Sequence, residues 1–260
     1  MRSPGAALIA WTLVAAFGAA SPAPATGTSL HEAVARYLAT RQGSVTVTVY
    51  DAVRGREWSW RQAGRGYTAS IVKVDILAAL LHRTASLTTD QRRLAKVMIE
   101  ESDNEAASVL YRQIGGAPGL DRFNAKAGLT QTVASTSWGL TRTSAHDQVV
   151  LLRLIANPTR LLTAADRRYE LHLMRSVTAG QCWGIAPCVP EGVSVALKNG
   201  WVPLSSVHGG GWQVNSIAYV SGDGRRYFIA VLSHETTFSY GVETIQGVSE
   251  IIWPYMSVAG

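Results

Sequence analysis

Thr68-Ala69-Ser70-Ile71-Val72-Lys73-Val74 opens an apolar run that continues through Asp75-Ile76-Leu77-Ala78-Ala79-Leu80-Leu81, and its reading decides the fold. Side chains three apart share a helix face, so the spacing predicts a helix whose first turn brings the Ser70 hydroxyl and the Lys73 amine together. A serine is a weak nucleophile until a neighbouring base takes its proton. Lysine serves as that base only when burial lowers its pKa, and Ile71, Val72 and Val74 supply the burial. Backbone N–H groups at a helix start also favour negative charge developing beside the serine. Against this, a serine opening a helix is usually a cap, and Ser-x-x-Lys arises by chance roughly 0.3 times in such a chain. Lysine usage tilts the balance: the chain has 20 Arg and only 4 Lys, and arginine cannot titrate as a base must.

Two further short motifs carry polar chemistry. Ser102-Asp103-Asn104 lies between helical stretches 90–101 and 105–114. Ser102 with Glu105 also reads as a capping box, but a Ser-Asp-Asn triplet is expected by chance only about 0.01 times. Such a loop can present Ser102 to pass a proton and Asn104 to hold a substrate amide. Lys198-Asn199-Gly200 ends a predicted strand; the lysine suits a substrate carboxylate, the glycine allows close backbone approach, and the strand edge suits an extended ligand. The plain alternative is a strand-end lysine in an Asn-Gly turn.

The chain begins Met1-Arg2, runs apolar from Ala6 to Ala20, and continues Ser21-Pro22-Ala23-Pro24-Ala25. This pattern predicts a signal peptide over residues 1–25, cut after Ala20 or Ala25, and a secreted protein without membrane insertion. An oxidising compartment makes Cys182 and Cys188 an expected disulfide closing a small loop. The six histidines form no short ligand motif, so no metal or cofactor is expected. Net charge is +6, but the basic residues are spread along the chain, which excludes a nucleic-acid partner and leaves an anionic exported polymer as the more natural one.

Alternation predicts a strand at 44–50 and a hairpin partner at 56–60, after an amphipathic helix at 29–41. Helical patterns fill 70–157 and 163–176; strands resume at 193–198, 212–220 and 225–232, and a last helix spans 240–253. Helices segregated from an antiparallel set of strands give an α+β plan. Its sheet is built from both ends of the chain (26–68 and 191–260), and residues 69–190 form an inserted all-helical lobe.

Ser70-x-x-Lys73, Ser102-Asp103-Asn104 and a Lys-x-Gly triad on a late strand together resemble the three motifs of class A β-lactamases and penicillin-binding proteins. The resemblance covers residues 26–260 and implies a β-lactamase-like fold, with an antiparallel sheet flanked by terminal helices. It implies that Ser70 is acylated, Lys73 activates it, Ser102 relays protons, Asn104 holds the substrate amide and Lys198 its carboxylate. The N–H groups of Ser70 and Trp201 would form the oxyanion hole. Two departures stand out. Residues 128–141, where the class A enzymes carry a water-activating glutamate, contain no acid. Asn199 stands where a hydroxyl residue usually binds the carboxylate. Trp138, Trp183, Trp201 and Trp212 are candidates for apolar cleft walls, Trp201 foremost. The expectation is a monomeric secreted serine hydrolase acting on β-lactams or acyl-D-alanyl-type cell-wall peptides, with slow deacylation. A non-catalytic cell-wall-binding module and an esterase with the same Ser-Lys chemistry are the alternatives.

Overall fold

The computed structural model describes residues 28–188 and 190–256, with the Cys188 side chain also outside the description. The predicted signal peptide, residues 1–25, lies outside the described residues. Helix α1 (Leu30–Leu38) leads to strands β1 (Ser44–Asp51), β2 (Arg56–Trp60) and β3 (Arg65–Tyr67), then to α2 (Val72–Arg83), α3 (Thr89–Glu100), α4 (Asn104–Gln113) and α5 (Gly116–Ala127). Strand β4 (Arg142–Ser144), α6 (Ala145–Ala156) and α7 (Ala164–Arg175) follow, and the chain closes through β5 (Ser194–Pro203), β6 (Trp212–Gly222), β7 (Arg225–Glu235) and α8 (Phe238–Tyr255).

Strands from both ends of the chain form one antiparallel sheet in the order β2-β1-β7-β6-β5. Successive side chains on a strand face opposite ways, and β7 shows why both faces are buried. Tyr227, Ile229 and Val231 join Val45, Val47 and Val49 of β1 in a core with Ile245, Val248 and Ile252 of α8. Phe228, Ala230 and Leu232 face the helical lobe. The lobe is built round α2, apolar on nearly all sides, in which every residue from Val72 to Leu81 is buried. Capping boxes start α1 (Ser29 with Glu32), α3 (Thr88 with Gln91) and α7 (Thr163 with Asp166).

The α+β plan and the inserted helical lobe are as expected. Three local readings change. Strand β5 does not end at Lys198-Asn199-Gly200 but runs on to Pro203, because Gly200 to Pro203 pair with Asn215 to Trp212 of β6. A two-stranded ribbon, β3 with β4, joins the segment before Ser70 to the segment before α6; three residues per strand are too few to show alternation. The expected Cys182–Cys188 disulfide is not formed. Cys182 is an exposed free thiol in a segment whose path is set by the short 3-10 turns Ala179–Gln181 and Ala186–Cys188. No helix among the described residues is long and apolar enough to cross a membrane.

Candidate active site

Ser70 sits in a 3-10 turn, Ala69–Ile71, that runs directly into α2. The turn is held from three sides. Thr68 N–H donates to Thr141 O at 2.8 Å, and the Asn215 side-chain amide donates to Tyr67 O at 2.8 Å and Thr68 O at 2.9 Å. On the third side Gly200 of β5 lies so close that a Cβ there would meet Ser70 N at 2.6 Å and Thr68 O at 2.8 Å. Ala69 is left-handed, with φ +46°, a conformation unfavourable for a residue with a Cβ and sustained only where the surroundings over-determine it.

Ser102 is the centre of the polar cluster. Its Oγ lies 3.1 Å from Lys73 Nζ and 3.0 Å from Lys198 Nζ. Lys73 Nζ also donates to Ser102 O at 2.6 Å and to Asn104 Oδ1 at 2.7 Å, and Lys198 Nζ donates to Asn199 O at 3.0 Å. Asp103, not Ser102, caps α4, accepting from Ala106 N at 2.6 Å. The serine is thereby free of capping and takes a left-handed φ of +61°, which turns it to the lysines.

Both amines are fully buried, and burial disfavours a charged amine. It holds Lys73 down to about 7, against the opposing pull of the Asp103 carboxylate. Burial first, and the neighbouring Lys73 charge second, hold Lys198 well below the ordinary lysine value. Lys73 is therefore a base near neutrality, and the two amines give the site N–H donors that an incoming carboxylate would complement. Among the described residues no hydrogen bond joins Ser70 Oγ to Lys73 Nζ. Trp138 lies against the cluster, its ring centroid 5.0 Å from Lys73 Nζ and its Nε1–H donating to Ser108 Oγ at 3.2 Å. The segment covering the lysine thus contributes an indole and no carboxylate.

Lys73, Ser102, Asn104 and Lys198 are joined by hydrogen bonds, and Gly200 lies against the Ser70 backbone. Asn199 does not join them. Lys198 and Gly200 face the Ser70 turn, so alternation sends Asn199 to the opposite face, where its amide donates to Gln181 O at 2.8 Å and Trp183 O at 3.0 Å. This buried residue ties down a loop and cannot hold a substrate carboxylate. The Trp201 ring follows the same alternation. It packs 5.6 Å from Trp183 and 5.5 Å from Phe238, away from the cleft, and Trp212 joins the same group through Phe238; only the Trp201 backbone remains available to the site. Asn215 was not anticipated. Its signal was faint: Gln213 and Asn215 stand two apart, hence on one face, among the polar residues at the start of the strand.

The chain belongs to the β-lactamase enzyme family, whose model matches residues 82–256. That match takes in Ser102 and Lys198 but begins after Ser70. A class A β-lactamase from Mycobacterium abscessus is 22% identical with a TM-score of 0.74, covering 87% of this chain and 99% of its own. A β-lactamase from Burkholderia vietnamiensis is 19% identical with a TM-score of 0.77, covering 90% of this chain and 98% of its own. One from Xanthomonas campestris is 20% identical with a TM-score of 0.73, covering 86% and 96%. No curated protein matches the sequence. The fold is that of class A β-lactamases, and with the family it makes the protein a class A β-lactamase-like serine hydrolase.

Proposed function

We propose that the protein is a secreted serine acyl-transfer enzyme that is acylated at Ser70 by β-lactams or acyl-D-alanyl-type amides and deacylates slowly. The observation that carries this reading is the single hydroxyl, Ser102 Oγ, held within 3.1 Å of Lys73 Nζ and 3.0 Å of Lys198 Nζ, with Lys73 titrating at about 7. Lys73, when neutral, takes the Ser70 Oγ proton as the oxygen attacks the substrate carbonyl carbon. The developing oxyanion would be met by the Ser70 and Trp201 N–H groups. As the C–N bond breaks, Ser102 Oγ gives its proton to the leaving nitrogen and recovers one from Lys73. Lys198 receives the substrate carboxylate and Asn104 its side-chain amide.

Hydrolysis of the acyl-enzyme needs a second proton acceptor for water. The acid-free segment 128–141 and the indole over Lys73 leave only Lys73 and Ser102 for that task, and both favour a long-lived adduct. Intact-mass spectrometry after adding benzylpenicillin tests the reading. A one-equivalent adduct that outlasts many minutes and is absent in Ser70→Ala supports it. Labelling that survives Ser70→Ala refutes it, and absence of labelling with unchanged ligand binding in Ser70→Ala would point to a non-catalytic module. Export is tested by the N-terminus of the mature chain, expected after Ala20 or Ala25.

A further inference from the structure

A second polar cavity, of about 220 Å³, opens at the end of the sheet beyond the Ser70 turn. Arg65 and Arg142, one from each strand of the β3–β4 ribbon, line it together with His208, His234 and Tyr67, and no acidic residue does. Among the described residues neither arginine has a carboxylate partner; Arg142 instead lies over the Tyr67 ring at 5.8 Å. Thr46 also lines the cavity, and its hydroxyl oxygen is buried without a hydrogen-bond partner. Buried hydroxyls are seldom left unpaired. Two planar guanidinium groups facing one cavity suit a bidentate oxyanion.

The cavity is wired to the candidate active site. Gln213, on its lining, accepts from Tyr67 N at 3.2 Å and donates to Asn215 Oδ1 at 2.8 Å. Asn215 in turn holds Tyr67 O and Thr68 O. Both walls also continue from the site: Tyr67 stands three residues before Ser70, and Leu204 four residues after Gly200. Three residues of chain span at most about 10 Å.

We propose that this cavity binds an anionic group carried on the acyl side of the substrate, a carboxylate within about 10 Å of the carbonyl that Ser70 attacks. This deepens the proposed function and rests on its reading of Ser70 as the acylated residue.

The test uses a matched pair of penicillins, one with an adipyl side chain and the other its monomethyl ester, which differ in charge and little in length. The expected result is acylation of Ser70 at least about tenfold faster by the acid than by the ester. The ratio falls towards one in Arg65→Gln and Arg142→Gln and is partly kept in Arg142→Lys, with thermal melting as the control for folding. Equal rates in the wild type, or a preference that persists in both glutamine variants, would overturn the proposal. Side-chain Nε–H NMR signals of the arginines separate it from the Ser70 reading. If neither penicillin labels Ser70 while adipate shifts the Arg65 and Arg142 signals, the cavity stands as a carboxylate site and the acyl-enzyme reading falls. If adipate leaves both signals unmoved, or inorganic phosphate shifts them more strongly than adipate, the acyl-carboxylate assignment is wrong.

Discussion

Lowering the pH from 7 to 5 should slow the acylation of Ser70 about 50-fold, because the reaction draws only on neutral Lys73. With the amine titrating at about 7, half of it is neutral at pH 7 and only about one part in a hundred two units lower. A penicillin carboxylate stays ionised across this range, so the rising limb belongs to the protein. The perturbation can be steered. The Asp103 carboxylate is the one charge that raises the Lys73 pKa, so Asp103→Asn, which keeps a cap for α4, should move the limb to lower pH. Lys198 shares Ser102 with Lys73, so the two amines titrate as a coupled pair and the rising limb should be broader than that of a single group. The assay is the second-order acylation rate from quenched intact-mass measurements between pH 5 and 10. A midpoint above 9, where an ordinary lysine titrates, would refute the claim that burial prepares the base. A limb unmoved by Asp103→Asn would refute the assignment to Lys73.

Three further outcomes follow from the packing. Gly200→Ala would place a Cβ 2.6 Å from Ser70 N, against backbone that cannot rotate away. It should lower stability by about 1–3 kcal/mol and slow acylation more than tenfold, read by melting and adduct formation; a normal rate would mean the β5 edge is not seated on the serine turn. Lys198→Met should abolish acylation yet raise the melting temperature, since removing a buried, poorly compensated amine is worth about 1–4 kcal/mol. The sign is set by linkage: the folded pKa values of Lys73 and Lys198 are lowered, the unfolded chain binds more protons, and wild-type stability rises from pH 7 towards 10. A Lys198→Met variant that melts lower than the wild type at pH 7 would contradict this. Asn199→Ala leaves Gln181 O and Trp183 O without their donor and should cost about 2 kcal/mol, with faster hydrogen exchange in residues 179–184. Unchanged exchange there would show that the amide does not hold the loop.

The parts of this protein readable from sequence are those encoded at short range. Ser70 and Lys73 are one turn apart, so placing both at the start of α2 needs no tertiary information, and the alternation of β1 names its own two faces. That Lys198 reaches Ser102 was implied only by the conjunction of motifs, and no local spacing requires it. Reading Lys198-Asn199-Gly200 as one block led to the error over Asn199. A strand's period of two puts the lysine and the glycine towards Ser70 and the asparagine away from it, and the same parity removes the Trp201 ring from the cleft. The left-handed conformations of Ala69 and Ser102 had no sequence signal, because neither position carries the glycine that normally marks one. Arg65, Arg142, His208 and His234 come from four separate segments, and only the packing of the β3–β4 ribbon against the end of the main sheet brings them together. The same contrast explains where the fold bears its strain. Two buried amines around one hydroxyl, a left-handed alanine before the nucleophile and a cavity of unpaired cations all oppose stability, and all lie at the Ser70 end of the molecule. The sheet and α2, apolar and locally consistent, hold them there, and an anionic substrate would relieve the electrostatic part on binding.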